Sequence, residues 1–444
     1  SYTYKGEAGG YIVQTGSTPG TPVVQSLQAR LDEMASVKDF GAMGDGVTDD
    51  TAAINRALYQ IYCRGTNPSV RRSLFFPAGV YIVTDTILLP AWANLYGEGG
   101  DSSVISFVVQ PHTSTIPYTQ GILVSDSGLF YRSIVDVPIG ISVSNVLYWQ
   151  VETLPQYIAR TADSLGQTGS NIGTNGAVPP QDLSISSLGF HTDQLQDGIL
   201  IQDVVTPFIL NDVDFYGPLT TSTINNDLDN IAAVRYASTT SYVVSQTSFT
   251  GCNFKGWTYG HATNQQVKGV TVVRSEFNTL YQGVYLGGVS VVNGGPSGFR
   301  LLENTFDSIY HEGIVIQNCG MNVSGFNTFY DVGNELAGFP VSAGTSTSII
   351  DIKTDNNLSI GDMFQRTPSE ANTTNPRIKI NGTQSIGVSS ADKIQQGTYT
   401  RITGAQTTIV DGTSGNIYNQ SVLVASALVP AVQAVASKIF PHIP

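Results

Sequence analysis

Residues 36–58 read SVKDFGAMGDGVTDDTAAINRAL, and this stretch decides the predicted fold. It begins with apolar residues at strand-like positions, Val37 and Phe40, which predict a short strand. Glycines follow at positions 41, 44 and 46, and glycine readily adopts the positive φ angles that a tight loop requires. The first half of the stretch therefore predicts a short strand and a loop.

The second half of the stretch predicts an amphipathic helix over about residues 48–62. Thr48 is a good N-cap, and Asp49 and Asp50 place negative charge in the first turn, where the helix dipole favours it. Apolar residues then recur at helical spacing: Ile54, Leu58 and Ile61. A single such helix ahead of a strand-rich chain is suited to cover the open end of a solenoid, whose core must not face water.

A repeat of short strands emerges after residue 183. Phrases that end in phenylalanine recur at intervals of 23 to 39 residues, with the phenylalanines at positions 190, 215, 254, 277, 306 and 329. Between them stand GILIQD from Gly198, GVYLGG from Gly283 and GIVIQN from Gly313. A period of about two dozen residues made of short strands predicts one coil of a parallel β-helix per repeat.

The remaining segments are assigned around this repeat. Ser73–Val83 and Thr86–Glu98 predict the first strands of the solenoid, and residues 100–180 predict a lateral insertion or a long loop. We predict an N-terminal lead and neck helix over residues 1–35, a β-helix domain over residues 36–390 and a small strand-and-helix domain over residues 391–444. The neck helix rests on four apolar residues at helical spacing: Val24, Leu27, Leu31 and Met34. The C-terminal helix either packs on its own chain or clamps a trimer.

Composition excludes several classes of partner. Charged residues make up 12% of the chain and the net charge is −13, so basic clusters for nucleic acid are lacking. The three cysteines and five histidines show neither a disulfide framework nor metal-ligand spacing. Pro430, Gln433 and Lys438 interrupt the apolar C-terminal stretch, which argues against a membrane span. We therefore expect no nucleic acid, membrane, metal or cofactor.

The run at residues 36–58 resembles, nearly residue for residue, the opening of the pectate-lyase-like right-handed β-helix domain that is common in bacteriophage tailspikes. The resemblance implies an all-β chain: a right-handed parallel β-helix with an N-terminal capping helix. It also implies a homotrimer located in the virion and exposed outside the cell, joined to the phage tail or baseplate through its N-terminus. The implied activity is binding and depolymerisation of a bacterial capsule or O-antigen.

The phenylalanine repeat predicts which residues face outward. Side chains alternate along a strand, so residues two before each phenylalanine point inward and its immediate neighbours point outward. The predicted inward set is Val213, Cys252, Ser275, Asn304 and Asn327. One outward column contains Asp214, Asn253, Glu276 and Thr305, and the next contains Tyr216, Lys255, Asn278 and Asp307.

These columns bring acidic residues together. Glu276 and Asp307 lie one coil and one step apart, so their Cα atoms are predicted about 8 Å apart. Two carboxylates share glycosidic chemistry at about 5–5.5 Å for retention and about 6.5–9.5 Å for inversion. Burial and like charge raise the pKa of one to make the acid, while the other stays ionised. The predicted catalytic candidates are Glu276, Asp307, Glu312, Asp214 and Glu303.

The same strip supplies candidates for substrate binding. Arg274 lies near two of the acids, where it can fix their geometry or bind an acidic sugar. The turn after Phe306 adds His311 and Glu312, which have no counterpart after Phe277. Aromatic rings in the adjoining turns are natural platforms for sugars. The predicted binding residues are Arg274, Lys255, Trp257, Tyr259, Tyr281 and His311.

Several interpretations of the strip stay open. The favoured one is endo-glycosidic hydrolysis by paired carboxylates. A polysaccharide lyase requires a base beside a uronate, for which Arg274, Lys255 and His311 are available, with or without calcium. A glycan-binding adhesin requires no catalytic group. In any soluble β-protein the outward positions are also polar, so the strip can be plain solvated surface.

Overall fold

In the computed structural model the chain forms a parallel β-helix. The structure describes residues 35–64, 71–167, 176–224, 229–238, 242–263, 265–287, 296–317 and 322–332, together with short strands outside these ranges. Each coil contains three strands in succession, and the three stacked series are called row A, row B and row C. The predicted fold class is confirmed.

The strands of each row pair in parallel with those of the next coil. Row A contains Ala35–Ser36, Leu74–Phe75, Asn94–Tyr96, Thr247–Thr250, Thr271–Val273, Arg300–Leu302, Val323–Gly325 and Leu358–Ile360. Row B contains Asp45–Asp49, Gly79–Val83, Ser103–Phe107, Asn253–Lys255, Glu276–Leu280, Thr305–Ile309, Thr328–Val332, Met363–Gln365 and Arg401–Ile402. Leu183–Thr192 and Phe208–Tyr216 are long strands that run through both rows. Row C contains Ile87–Leu89, Tyr157–Thr161, Asp197–Gln202, Ala232–Ala237, Tyr259–Thr263, Gln282–Gly287, Ile314–Gln317, Ile350–Ile352, Ile378–Ile380 and Ile409–Asp411.

A continuous stack of phenylalanine rings fills the core behind row B. The six phenylalanines of the repeat are all completely buried. Successive ring centroids lie 4.5 to 5.6 Å apart along the stack. The predicted inward set is buried as well, which confirms the predicted facing of this row.

The inward amides form a ladder beside the ring stack. The Asn304 Oδ1 accepts a hydrogen bond from the Ser275 amide at 2.9 Å, and the Asn304 Nδ2 donates to the Val272 carbonyl at 2.9 Å. Asn327 repeats the arrangement one coil later by accepting from the Asn304 amide at 2.8 Å. Because each buried amide satisfies two backbone groups of the preceding coil, these residues hold the turn between rows A and B in register.

The N-terminal capping helix is present and closes the first coil. The α-helix spans Thr51–Leu58 and continues as a π-helix over Tyr59–Cys63. The predicted apolar face is buried: Ile54, Leu58 and Ile61. The local start of this segment differs from the prediction, because residues 37–40 form a 3-10 helix, Val37–Phe40, rather than a strand. A capping box explains it, since the Ser36 Oγ accepts from the Lys38 amide and the Asp39 carboxylate accepts from the Ser36 amide.

Thr48 is not the N-cap, so that prediction was wrong. It lies in a row B strand, where its Oγ donates to the Asp45 carboxylate at 2.8 Å. Asp50 occupies the cap position without capping the helix. Its carboxylate instead accepts from the amides of Met43 and Gly44 at 2.7 and 2.9 Å, and therefore fixes the loop.

A lateral insertion leaves the β-helix between rows B and C of an early coil. It contains Gln110–Pro111, Leu123–Asp126, Leu129–Ser133 and Trp149–Glu152, which form one sheet. Tyr118 and Trp149 pack in a separate small core. Arg132 pairs with Glu152 and donates to the Thr84 carbonyl at 3.1 Å, which joins the insertion to the β-helix. Of the two predicted alternatives, the insertion is therefore present.

The chain ends are described only in part. Gly6–Glu7, Gly10–Val13 and Val23–Gln25 form an antiparallel sheet, so Val24 lies in a strand rather than in the predicted neck helix. The other three residues of that helix, the C-terminal apolar helix and Cys319 lie outside the described residues. Rows B and C continue past residue 390, and the separate C-terminal domain stays a prediction. A further two-strand sheet pairs Val244–Ser245 with Val267–Lys268.

One histidine lies inside the solenoid. His261 is completely buried, with its Nδ1 2.7 Å from the Tyr236 hydroxyl oxygen. Its ring centroid lies 4.7 Å from that of Phe249 and 4.6 Å from that of Phe254. Burial among these rings lowers the pKa of His261 to about 3.

We expect the folded protein to lose stability as the pH falls from 6.5 towards 3. Over this range the unfolded His261 binds a proton that the folded side chain does not, so the loss approaches about 1.4 kcal/mol per pH unit. The free energy of unfolding should fall between pH 7 and pH 4.5 in both proteins. The fall should be about 2–3 kcal/mol smaller in His261→Gln than in the wild type. Equal differences in the two proteins would contradict this expectation.

Candidate functional site

The outward side of row B carries two columns of side chains. Column 1 consists of Gly189, Asp214, Asn253, Glu276, Thr305 and Thr328. Column 2 consists of His191, Tyr216, Lys255, Asn278, Asp307 and Tyr330. The backbone register confirms the predicted columns and the predicted offset of Glu276 from Asp307.

Asp214 is the buried acid of column 1, with 7% of its surface exposed. The loop of residues 97–102, which joins rows A and B two coils earlier, lies directly on it. A Cβ atom on Gly100 would lie 2.0 Å from the Asp214 Oδ2, and one on Gly189 would lie 2.2 Å from the Gly100 carbonyl oxygen. The loop can therefore approach this closely only because both residues are glycine.

The surroundings of Asp214 favour its protonated form. Burial raises the pKa of Asp214, and the negative charges of Asp101 and Asp212 add to that effect. A hydrogen bond from the Asn253 Nδ2 to the Asp214 Oδ1, 2.5 Å long, opposes it. The net result is a carboxyl group that retains its proton to higher pH than an ordinary aspartate, as a general acid requires.

Tyr216 and His191 stand beside this acid in column 2. Burial and the charges of Asp214, Asp101 and Glu276 raise the pKa of Tyr216 to about 12, so its hydroxyl remains a hydrogen-bond donor. The His191 ring centroid lies 4.6 Å from that of Tyr216, and burial lowers the pKa of His191. The His191 Nε2 is buried without a hydrogen-bond partner.

Glu276 is the exposed acid of column 1, two coils beyond Asp214. Two coils place their Cα atoms about 10 Å apart, and the side chains project from the same face. The Asn278 Nδ2 donates to the Glu276 Oε1 at 3.3 Å. From Cα atoms at this spacing, one buried acid and one exposed carboxylate can reach the separation of about 6.5–9.5 Å between carboxyl groups that an inverting pair needs to admit water.

Two further catalytic candidates lie at the edges of the strip. Asp307 is half-buried in column 2, and its Oδ1 accepts from the Ser308 Oγ at 3.0 Å. Glu303 lies at the turn between rows A and B, where its carboxylate is 3.9 Å from the Arg274 Nε with both side chains exposed. An exposed pair of this kind contributes little to stability.

Glu312 is separated from the other acids and lies buried at the start of row C. Although burial favours its neutral form, hydrogen bonds from His311 and Gln282 hold the pKa of Glu312 below its ordinary value. The register pairs Leu280 with Ile309 and Val284 with Ile314, so the coil of His311 has one extra residue. An insertion is therefore present as predicted, but it amounts to one residue, so only one of His311 and Glu312 lacks a counterpart after Phe277.

The predicted binding residues have different surroundings. Trp257 is completely buried and its Nε1 donates to the Phe215 carbonyl at 3.2 Å, so it is a core residue and not a platform for a sugar. Tyr259 is also buried, whereas Tyr281 is half-buried against His311. Lys255 in column 2 and Arg274 at the turn are exposed, and both remain candidates.

Sequence reasoning missed Asp101, His191 and the role of Tyr216. Asp101 belongs to the run GEGGDS at residues 97–102, which replaces the single turn residue of later coils. That glycine-rich run was the available signal for a loop that packs closely on its neighbours. His191 follows Phe190 as Tyr216 follows Phe215, so column 2 extends one coil earlier than predicted.

The described ranges contain no metal-binding group and no membrane-crossing helix. In these ranges, no three His, Cys, Asp or Glu side chains come together as metal ligands. Nor does any helix there have the length and apolar character needed to cross a bilayer.

Comparison with known proteins gives matches of several kinds. A mutant of the tailspike protein of E. coli bacteriophage HK620, in complex with a pentasaccharide, superposes with a TM-score of 0.51 at 11% identity. The match covers 91% of this chain and 70% of that chain. It shows a shared fold.

Two curated relatives match over short segments. The pre-neck appendage protein of Bacillus phage phi29 is 29% identical over 112 residues, which is 25% of this chain and 12% of the relative. Mannuronan C5-epimerase AlgE5 of Azotobacter vinelandii is 49% identical over 80 residues, 16% of this chain and 8% of the relative. The chain spans between 5% and 12% of the lengths of the curated relatives it matches.

The match to a protein family is the most extensive sequence finding. The family described as rhamnogalacturonase A/epimerase, pectate lyase-like, matches residues 34–285. This range begins at the capping segment and includes Asp101, Asp214 and Glu276. Together with the parallel β-helix, it shows that the chain belongs to the rhamnogalacturonase A/epimerase, pectate lyase-like family.

Proposed function

We propose that the chain is the β-helix part of a phage tailspike that binds and cleaves a bacterial surface polysaccharide. The observation that supports cleavage is the buried Asp214, whose pKa is raised, in one column with the exposed Glu276. The phage relative and the tailspike fold support the location in a virion. A homotrimer, joined to the tail or baseplate by its N-terminus and exposed outside the cell, is part of the same proposal.

The proposed reaction is hydrolysis inside the polysaccharide chain with inversion at the anomeric carbon. Asp214 donates its proton to the glycosidic oxygen as the bond to the anomeric carbon breaks. Glu276 accepts a proton from a water molecule that attacks that carbon from the opposite side. Tyr216, two residues beyond Asp214 in the same strand, donates a hydrogen bond to the substrate.

A lyase is the second candidate, supported by one observation. The His311 Nδ1 lies 2.5 Å from the Glu312 carboxylate, and this hydrogen bond fixes the imidazole ring. The Nε2 is then the nitrogen that can accept a proton from a substrate. A base of this kind can abstract the proton next to a uronate carboxylate. Hydrolysis remains the favoured proposal because Asp214 and Glu276 share one open face.

Incubation with purified capsular and O-antigen polysaccharides tests these candidates. Shorter fragments without the ultraviolet absorbance of an unsaturated sugar support hydrolysis, and fragments with it support the lyase. A polymer that is bound but keeps its length would identify an adhesin and contradict both enzymatic proposals.

Asp101→Asn should move the alkaline limb of the pH–activity profile to lower pH. Removal of the Asp101 charge lowers the pKa of Asp214, so the general acid loses its proton earlier as the pH rises. Profiles of kcat/KM against pH for the wild type and the variant measure this shift. Asp126→Asn, which changes a charge in the lateral insertion, is the control and should leave the limb in place. An unmoved limb in Asp101→Asn would count against Asp214 as the acid.

A further inference from the structure

Between rows A and B the later coils turn at a single residue. These residues form the bend column, which consists of Ser187, Asp212, Gly251, Arg274, Glu303 and Phe326. All six have positive φ angles, between 49° and 63°. Backbone hydrogen bonds keep the bends aligned, because the Arg274 amide donates to the Leu302 carbonyl at 3.1 Å and the Glu303 amide to the Gly325 carbonyl at 3.0 Å.

Phe326 departs from the rest of this column. A positive φ is an outlier for a bulky side chain, because the Cβ atom crowds the following carbonyl oxygen. Phe326 is 61% exposed, so the packing of its ring offsets little of this backbone strain. The other five positions hold glycine or polar residues, which a bend in solvent favours. Strain that is retained at an exposed aromatic ring points to a contact with a ligand.

The neighbourhood of Phe326 fits a sugar better than a protein partner. Glu303, one coil before, and Arg274, two coils before, are 60% and 68% exposed, which leaves both able to bond hydroxyl groups. Within the described residues after Ile209, Phe326 is the one exposed large apolar side chain. A protein interface needs a wider apolar surface, whereas a sugar ring needs one aromatic face beside polar groups.

Phe326 also lies on the face that contains the acid pair. It precedes Thr328 of column 1 by two residues, as Arg274 precedes Glu276. The coil of Asn253 lies between the two acids. Phe326 is three coils beyond it, at a distance of about 14 Å along the β-helix. A polysaccharide that follows column 1 from the cleaved bond therefore passes Phe326 several sugar units away.

We propose that Phe326, with Glu303 and Arg274, forms a remote sugar-binding subsite at the edge of this face. The ring stacks on the C–H face of one pyranose unit, and the two charged side chains bond its hydroxyl groups or a uronate. The proposal rests on the proposed function for the identity of the polymer. Its role is to hold the chain, so it contributes to binding and not to the bond-breaking step.

Phe326→Gly tests the subsite because glycine accepts the bend without strain. We expect a higher thermal midpoint, an unchanged kcat and a KM for the cleaved polysaccharide raised about tenfold, the effect of losing one aromatic contact. The same loss should appear as weaker binding of intact polysaccharide in a cleavage-deficient Asp214→Asn background. Phe326→Tyr, which retains a ring, is the matched variant and should keep the wild-type KM.

The possible failures are distinguishable. A folded Phe326→Gly with wild-type KM and wild-type binding overturns the subsite and leaves the hydrolase proposal intact. A change of oligomeric state in Phe326→Gly, measured by light scattering, also overturns it, because the ring then belongs to a contact between copies of the chain. If the wild type cleaves none of the polysaccharides, the proposed function fails, whatever the variant does.

Discussion

Asp214→Asn should lower the rate of polysaccharide cleavage by roughly 100- to 10,000-fold, the usual contribution of a general acid. The substituted amide has nearly the same shape but cannot supply the proton that the leaving oxygen requires. Asp214 lies under Gly100 with little exposed surface, so no other acid can readily take its place. The change is measured as kcat on the polysaccharide, with the fold checked by circular dichroism and thermal unfolding.

Asp212→Asn is the matched control, because it removes the same charge two residues earlier in the same strand. Asp212 is exposed at the bend, and its Oδ2 accepts from the Ser187 Oγ at 2.9 Å. Its replacement should leave kcat within a few-fold of the wild type. Equal losses in both variants would mean that charge in this region, rather than proton donation by Asp214, governs the rate.

Glu276→Gln should lower kcat to a similar extent, since it removes the partner acid. Asp307→Asn distinguishes the two acid pairs that contain Glu276. If the catalytic pair is Glu276 with Asp307, as the sequence alone predicts, Asp307→Asn loses activity and Asp214→Asn does not. The burial of Asp214 and the direction of its pKa shift favour the opposite result.

The sequence predicted the regular part of this molecule because the repeat follows strand periodicity. Phe277 and Phe306 pair in register, and from that pairing the facing of Glu276 and Asp307 follows by alternation. The burial of Asn304 and Asn327 follows in the same way. Each of these predictions needs only short-range geometry, which adjacent coils repeat.

The irregular parts of the site were not predictable in this way. The burial of Asp214 comes from a loop more than one hundred residues earlier in the chain, and no local pattern links it to Gly100. Likewise, the burial of Trp257 depends on the preceding coil, because its Nε1 donates a hydrogen bond to the Phe215 carbonyl there. Helix-capping propensity predicted Thr48 as the N-cap of the helix. The segment instead pairs as a strand of row B, so the helix begins after Asp50.

Phe277→Ala should destabilise the folded protein by about 3–5 kcal/mol, the range for removing a fully buried phenylalanine ring. Phe277 lies in the ring stack, 4.8 Å from the centroid of Phe254 and 4.5 Å from that of Phe306. Its Cδ1 would lie 2.6 Å from a Cβ atom on Gly260, so row C approaches the ring as closely as glycine allows. Adjacent coils are held apart by their backbone ladders, which prevents the cavity from collapsing.

Denaturant unfolding of Phe277→Ala and of Phe326→Ala compares the same substitution at a buried and an exposed ring. Phe326 is 61% exposed, so its truncation should change the free energy of unfolding far less than truncation of Phe277. Stability in a solenoid is largely a sum over neighbouring coils, and the loss at Phe277 therefore weakens two interfaces at once. Similar unfolding free energies for the two variants would contradict the conclusion that the ring stack, rather than the backbone ladders alone, stabilises the coils beneath the acid pair.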